Sequence, residues 1–234
     1  MTILKATGKS LLPAVSDTEP SIGERISSYF LAFIPWLIIY ETFIFIGAPE
    51  DAIITNLAFE KHLPVWEFSE VFYTFAYLFS LSVPFVIKTR TQLRSLITDI
   101  WFTIIIVGII YTVFPLVVKQ RDFIPHSFLG RLILFERAHD GESGALPSCH
   151  VIWAFLAAVY FSRSIIRLKW LWYFLAVLIS ASCITTGAHS IPDVVAGFGT
   201  FLIIIYRRQM WNYILQKAER LSGKGREIKD DRSD

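Results

Sequence analysis

The stretch 95–118, SLITDIWFTIIIVGIIYTVFPLVV, holds a single charged residue in 24 positions. A hydrocarbon core takes roughly 20 apolar residues per crossing helix. In lipid, backbone amides left unpaired are so costly that an apolar run of this length is helical. Six stretches fit this pattern, at 28–47, 67–88, 95–118, 148–166, 169–186 and 190–206. The first three are long enough to span. The last three are short, but Arg163, Arg167 and Lys169, and then Thr186-Gly187, force breaks between them. Charged residues make up 18% of the chain, against roughly a quarter in a soluble domain. The expected class is an all-α integral membrane protein with six transmembrane helices. It divides into an N-terminal segment (1–27), a membrane domain (28–206) and a mixed-charge tail (207–234).

Lys and Arg gather on the cytoplasmic side of membrane proteins. The N-terminal segment, the second and fourth connections and the tail carry 17 of the 22 basic residues. The loops 48–66 and 119–147 are mixed or acidic. Both termini are therefore expected in the cytoplasm, with Pro147-Ser148-Cys149-His150 facing outward. This topology depends on the fourth helix, whose purely apolar part is only 151–161. The first 25 residues show no cleavable signal peptide. A net charge of +2 gives no reason to expect nucleic acid as a partner; the partner is the lipid bilayer.

Chemistry concentrates at 187–197, GAHSIPDVVAG. His189 and Asp193 are four residues apart, which stacks side chains on one helical face. The carboxylate can accept the Nδ1–H of the imidazole and leave Nε2 as nucleophile or base. Ser190-Ile191-Pro192-Asp193 also reads as a capping box with Pro in the first turn. His150 is expected at the same face, also at a helix N-terminus, where anions bind readily. Two imidazoles and one carboxylate then suit a phosphate ester whose lipid tail stays in the bilayer. One His attacks phosphorus and the other protonates the leaving oxygen. Lys119 and Arg121 are the nearest cations by topology, with Arg131 and Arg137 as substitutes.

These residues resemble the type 2 phosphatidic acid phosphatase (PAP2) superfamily of lipid phosphatases and phosphotransferases. Pro147-Ser148-Cys149-His150 is similar to its Pro-Ser-Gly-His motif. Ser182-Cys183, followed by His189 and Asp193, is similar to its Ser-Arg-(five)-His-(three)-Asp motif. The chain departs from that pattern at Cys149 and Cys183, and it has no Lys-(six)-Arg-Pro segment; Lys119 and Arg121 follow Phe114-Pro115 instead. The Phe-Pro helix end, Pro-Ser-x-His-x-x-Trp-Ala (Trp153, Ala154) and His-x-x-x-Asp-Val resemble the branch of the sphingomyelin and inositol-phosphorylceramide synthases. The resemblance implies a six-helix bundle with His189 as phosphohistidine nucleophile, Asp193 as its orienter and His150 as general acid. It gives Ser148 a phosphate-binding role through its hydroxyl and backbone amide; Lys119 and Arg121 remain the phosphate-binding cations expected from topology.

The expected activity is removal of phosphate from a lipid or polyprenyl phosphate or diphosphate at the extracytoplasmic face. Headgroup transfer to an alcohol is the alternative, and non-catalytic binding or transport of a lipid phosphate is the second. No cofactor or metal is expected, and chain size favours a bacterial plasma membrane. Cys149 and Cys183 are expected as two buried free thiols. His139-Asp140 is near enough to the motif to touch substrate. Glu70 and Asp99 are expected at solvated helix ends, and Glu41, mid-helix, has no evident partner.

Overall fold

In the computed structural model, which describes residues 18–221, Ser21 opens the first helix with a reciprocal cap. Its hydroxyl accepts from the Glu24 amide (3.2 Å), and the Glu24 carboxylate accepts from the Ser21 amide (2.7 Å). From there α1 (Ile22–Ser28) passes through wider π turns at Tyr29–Phe33 into α2 (Ile34–Ile46). Pro35 has no amide to donate, and the π segment beside it absorbs the interrupted bonding. The helix expected over 67–88 breaks into α3 (Glu70–Leu81) and α4 (Val83–Val86) around Pro84. The carbonyls of Pro84 and Ile87 accept from buried Arg25 at 2.6 and 2.8 Å, so the break is held by a cation from the first helix.

Next comes α5 (Arg90–Val113), capped by Thr89. A two-residue parallel ladder, β1 (Ile53–Ile54) on β2 (Leu116–Val117), laces the loop after α2 to the loop after α5. After α6 (Phe128–Asp140) come α7 (Cys149–Ser164), α8 (Lys169–Thr185) and α9 (Ile191–Leu221). The last runs well past residue 206, where the sequence placed its end; residues 222–234 of the expected tail lie outside the described residues.

The protein is thus mostly helical. Among the described residues, three helical runs are long and apolar enough to cross a bilayer: Ile22–Ile46, Arg90–Val113 and Ile166–Thr185. The shortness of α7 has a physical reason. Fourteen of its sixteen residues are buried, so it packs against protein on every side. Ala154, Ala157 and Ala158 let neighbouring backbones approach closely. Large apolar side chains on the outer helices, such as Phe45, Leu78, Ile109 and Trp170, point outward, as a lipid-facing surface requires.

Two expectations are corrected. Glu70 and Asp99 are not solvated; they are 1% and 2% exposed. A buried charge needs partners, and Asp99 has them: the Tyr160 hydroxyl donates to it at 2.6 Å, and Arg207 pairs with it. Glu41 also gains a partner, His139 Nε2 at 3.3 Å, which ties α2 to the end of α6.

Candidate active site

The two motifs are joined through the backbone. Ser148 stands just before α7, and its amide donates to the Asp193 carbonyl at 3.0 Å. One turn further along α9, Gly197 lies against the same segment. A Cβ there would sit 2.7 Å from the Ser148 carbonyl oxygen and 3.0 Å from Val151 Cβ. The absent side chain is what lets the N-terminal ends of α7 and α9 close together.

At the start of α9 Asp193 closes the expected capping box and stands beside His189. Ser190 Oγ accepts from the Asp193 amide (3.3 Å), and Asp193 Oδ2 accepts from the Ser190 amide (2.8 Å). The same Oδ2 lies 3.7 Å from His189 Nδ1. That is ion-pair range and longer than a hydrogen bond. The His189 amide donates to the Cys183 carbonyl at 3.0 Å, which fixes the turn that presents the ring.

His150 projects from the first turn of α7 and lies with its ring centroid 5.8 Å from that of His189. Tyr73 stacks on it at 4.1 Å and Tyr77 meets it edge-on at 5.2 Å. Sequence reasoning missed both tyrosines, although their spacing of four puts them on one face of α3. Cys149 and Cys183 are buried free thiols.

The cations divide. Arg137 lines a polar cavity of about 30 Å³ together with His189, Glu70, Glu136 and Asp140. Its guanidinium donates to the carbonyls of Arg121 and Thr186. Burial and the charge of Arg121 push it down to about 10. Arg121 is buried too and donates to the carbonyls of Leu63 and Ile184. Both guanidiniums pack over Gly187, which has φ +73° and where a Cβ would meet Arg137 at 2.5 Å. Lys119 is exposed, its amide donating to Asn56 Oδ1 at 2.6 Å, and it lines neither cavity. Of the two nearest cations by sequence, Arg121 reaches the turn before His189 and Lys119 does not, while α6 folds back to add Arg137 there.

A second cavity, of about 430 Å³, is apolar and opens against His150. Phe33, Trp36, Leu37, Tyr77 and Trp153 are among its walls. Tyr40 and Asp140 border both cavities, so the histidine pair sits where a greasy chamber meets a polar one. Here Ser148 Oγ, His150 Nε2, His189 Nδ1, Asp193 Oδ1 and Arg137 Nε are buried without hydrogen-bond partners. Buried polar atoms are ordinarily paired, so this concentration marks a place for a polar ligand. The arrangement can hold an anion at two helix N-termini, attack it with an imidazole and protonate what leaves.

The sequence model of the family described as the PAP2 superfamily matches residues 36–207. No curated protein and no solved structure matches the chain. The matched span covers both histidines, Asp193 and the apolar cavity's Trp36, Tyr77 and Trp153, and the chain belongs to that superfamily.

Proposed function

We propose that this member of the PAP2 superfamily is a lipid phosphate phosphatase working through a phosphohistidine on His189. The observation that carries the reading is the histidine pair, 5.8 Å apart between an apolar and a polar cavity, with Asp193 behind the far nitrogen of His189. The lipid chain occupies the apolar cavity and its phosphate lies between the rings. Asp193 holds His189 with Nδ1 protonated, so Nε2 carries the lone pair that attacks phosphorus. His150 gives its proton to the departing lipid oxygen. Ser148, Arg137 and the two helix N-termini stabilise the charge on the equatorial oxygens, with Arg121 bracing the turn beneath. Six crossings, both termini in the cytoplasm and the site at the outer face complete the reading, on the strength of the loop charges.

Water is favoured over an alcohol as acceptor. The polar cavity beside His189 has room for about two waters, and water needs no second binding site. The test is phosphate release by the purified protein in detergent and EDTA, across phosphatidate, phosphatidylglycerol phosphate and polyprenyl diphosphate, beside His189→Ala. Release that vanishes in the variant supports the reading. Near-normal release from His189→Ala removes His189 from the mechanism, and headgroup transfer without phosphate release makes the acceptor an alcohol.

A further inference from the structure

The mechanism above leaves one step without a group to perform it. Hydrolysis of phospho-His189 releases a proton from water, and His150 has been assigned to the leaving lipid oxygen. Two carboxyls stand at the polar cavity with no role yet given. Glu70, 1% exposed, lies one turn before Tyr73 on α3, so it shares the helical face that stacks on His150. Glu136, on α6, lies beside it. Thr74 Oγ1 donates to Glu70 Oε1 at 2.9 Å and occupies that oxygen. The Glu136 carboxyl is hydrogen-bonded to that of Glu70.

A pair of carboxyls is not in itself a site. What points to a ligand is Arg137. Its side chain is more than nine-tenths buried, it lines the same cavity, and its Nε has no partner although the rest of the guanidinium is bound to carbonyls. Arg137, with this unpaired Nε, and both carboxyls thus line one space that fits about two waters. The other titratable groups bordering it are Tyr40, Tyr73, Asp140 and His189. Burial, and next the charge of Glu70, hold the Glu136 carboxyl well above the usual carboxylate range. Two adjoining carboxyls in such a site retain a proton between them and still have room for another.

We propose that the Glu70–Glu136 pair is the base of the second half-reaction, holding the attacking water and taking its proton. The inference rests on the phosphohistidine reading. The water oxygen bonds to phosphorus as the bond from phosphorus to Nε2 breaks, and the bonding electrons return to the ring. Nδ1 keeps its proton on Asp193, so the leaving imidazole is neutral. One water proton stays on the phosphate and the other passes to the pair, which later loses it to bulk water. His150 regains from bulk the proton it gave to the lipid oxygen.

The experiment is rapid-quench turnover of 32P-labelled phosphatidate in detergent, with wild type, Glu136→Gln and Glu70→Gln. The expected result in both variants is a burst of diacylglycerol at the wild-type first-turnover rate. Slow steady turnover follows, down on the order of 10²-fold, with acid-labile, alkali-stable label accumulating on the protein. A carboxyl pair that only staples α3 to α6 moves neither the burst nor the label. Wild-type steady turnover in the variants overturns the inference, as does slow turnover with neither burst nor label. Intact turnover with no label at His189 in any of the three proteins overturns the phosphohistidine reading itself, and this inference with it. Should a glutamine variant fail to fold, Glu136→Asp retracts the carboxylate by one methylene. It is expected to accumulate label partially, and wild-type turnover without label overturns the role of Glu136.

Discussion

Asp193 Oδ2 lies 3.7 Å from His189 Nδ1 while accepting the Ser190 amide at 2.8 Å. One oxygen thus caps α9 and stands before the imidazole that the proposed mechanism has it orient. Asp193→Asn keeps a side-chain oxygen for the amide, but its NH2 group can face His189 and select the wrong tautomer. The expected loss is on the order of 10²–10⁴ in kcat, with KM nearly unchanged because Asp193 does not touch the lipid. Steady-state kinetics check this. A loss confined to KM would instead place Asp193 in substrate binding.

Gly197 and Gly199 are two residues apart on α9 and have opposite expectations. A Cβ at Gly197 meets the Ser148 carbonyl oxygen at 2.7 Å, whereas one at Gly199 meets nothing within 4 Å. Gly197→Ala forces backbone apart from backbone, at a cost of roughly 1–3 kcal/mol, and it loosens the contact that registers His150 against His189. Gly199→Ala gains up to about 1 kcal/mol from helix propensity. Thermal unfolding in detergent should move the two variants in opposite directions, and equal shifts would contradict the close packing of α7 on α9.

What could be read from the chain divides by sequence separation. The capping box at Ser190–Asp193 and the His189–Asp193 spacing are local, and both are present in the fold. Apolar run length located helices in the six apolar stretches, but not α6 in the loop 119–147, nor that α7 is short because it is walled in by protein. Partners of buried charges come from far along the chain, and no periodicity encodes them. Glu41 meets His139 across 98 positions, and Asp99 meets Arg207 across 108. For the same reason Glu70 read as solvated and Arg137 only as a substitute. The fold of α6 over Gly187 brings Arg137 to the cavity that His189 and Glu70 line, and nothing in the spacing of 119–147 announces it.

That fold gives a contrast between two cations. Arg137→Ala removes a buried guanidinium from the phosphate side, with an expected loss on the order of 10²–10³ in kcat/KM. Arg137→Lys recovers little, because an ammonium cannot hold two carbonyls and also face the cavity. Lys119→Ala is expected to lose far less, since Lys119 is exposed and lines neither cavity. Kinetics on the same lipid substrate decide the matter. A larger loss at Lys119 would return the phosphate contact to it.

Ser80 lines the apolar cavity, and its hydroxyl is buried without a partner. Ser80→Leu therefore removes an unpaired polar group and fills space meant for the lipid chain. The fold should be no less stable, while kcat/KM for a long-chain lipid phosphate drops roughly tenfold or more. A soluble ester without a chain, such as p-nitrophenyl phosphate, should be turned over as before. Equal losses on both substrates would show that this cavity does not receive the chain.

The trio of Asp99, Tyr160 and Arg207 tests whether the inner end of the bundle is an anchor alone. Tyr160 donates to Asp99 Oδ2 at 2.6 Å from α7, and Arg207 reaches the other oxygen from α9 while resting over the Phe102 ring at 4.9 Å. Tyr160→Phe keeps the ring in the core but removes a hydrogen bond to a buried charge, which is worth roughly 1.5–3 kcal/mol. Tyr160 lies ten residues beyond His150 on one helix, about 15 Å along its axis. The trio joins the same two helices, α7 and α9, that carry the histidine pair at their opposite ends. If α7 and α9 are held in register at the site by the Ser148–Asp193 contact, the inner lock adds stability and nothing else. Tyr160→Phe then unfolds at a lower temperature and keeps wild-type kcat per folded molecule. A fall in kcat with unchanged unfolding would mean that the lock sets the spacing of His150 and His189 along the length of both helices.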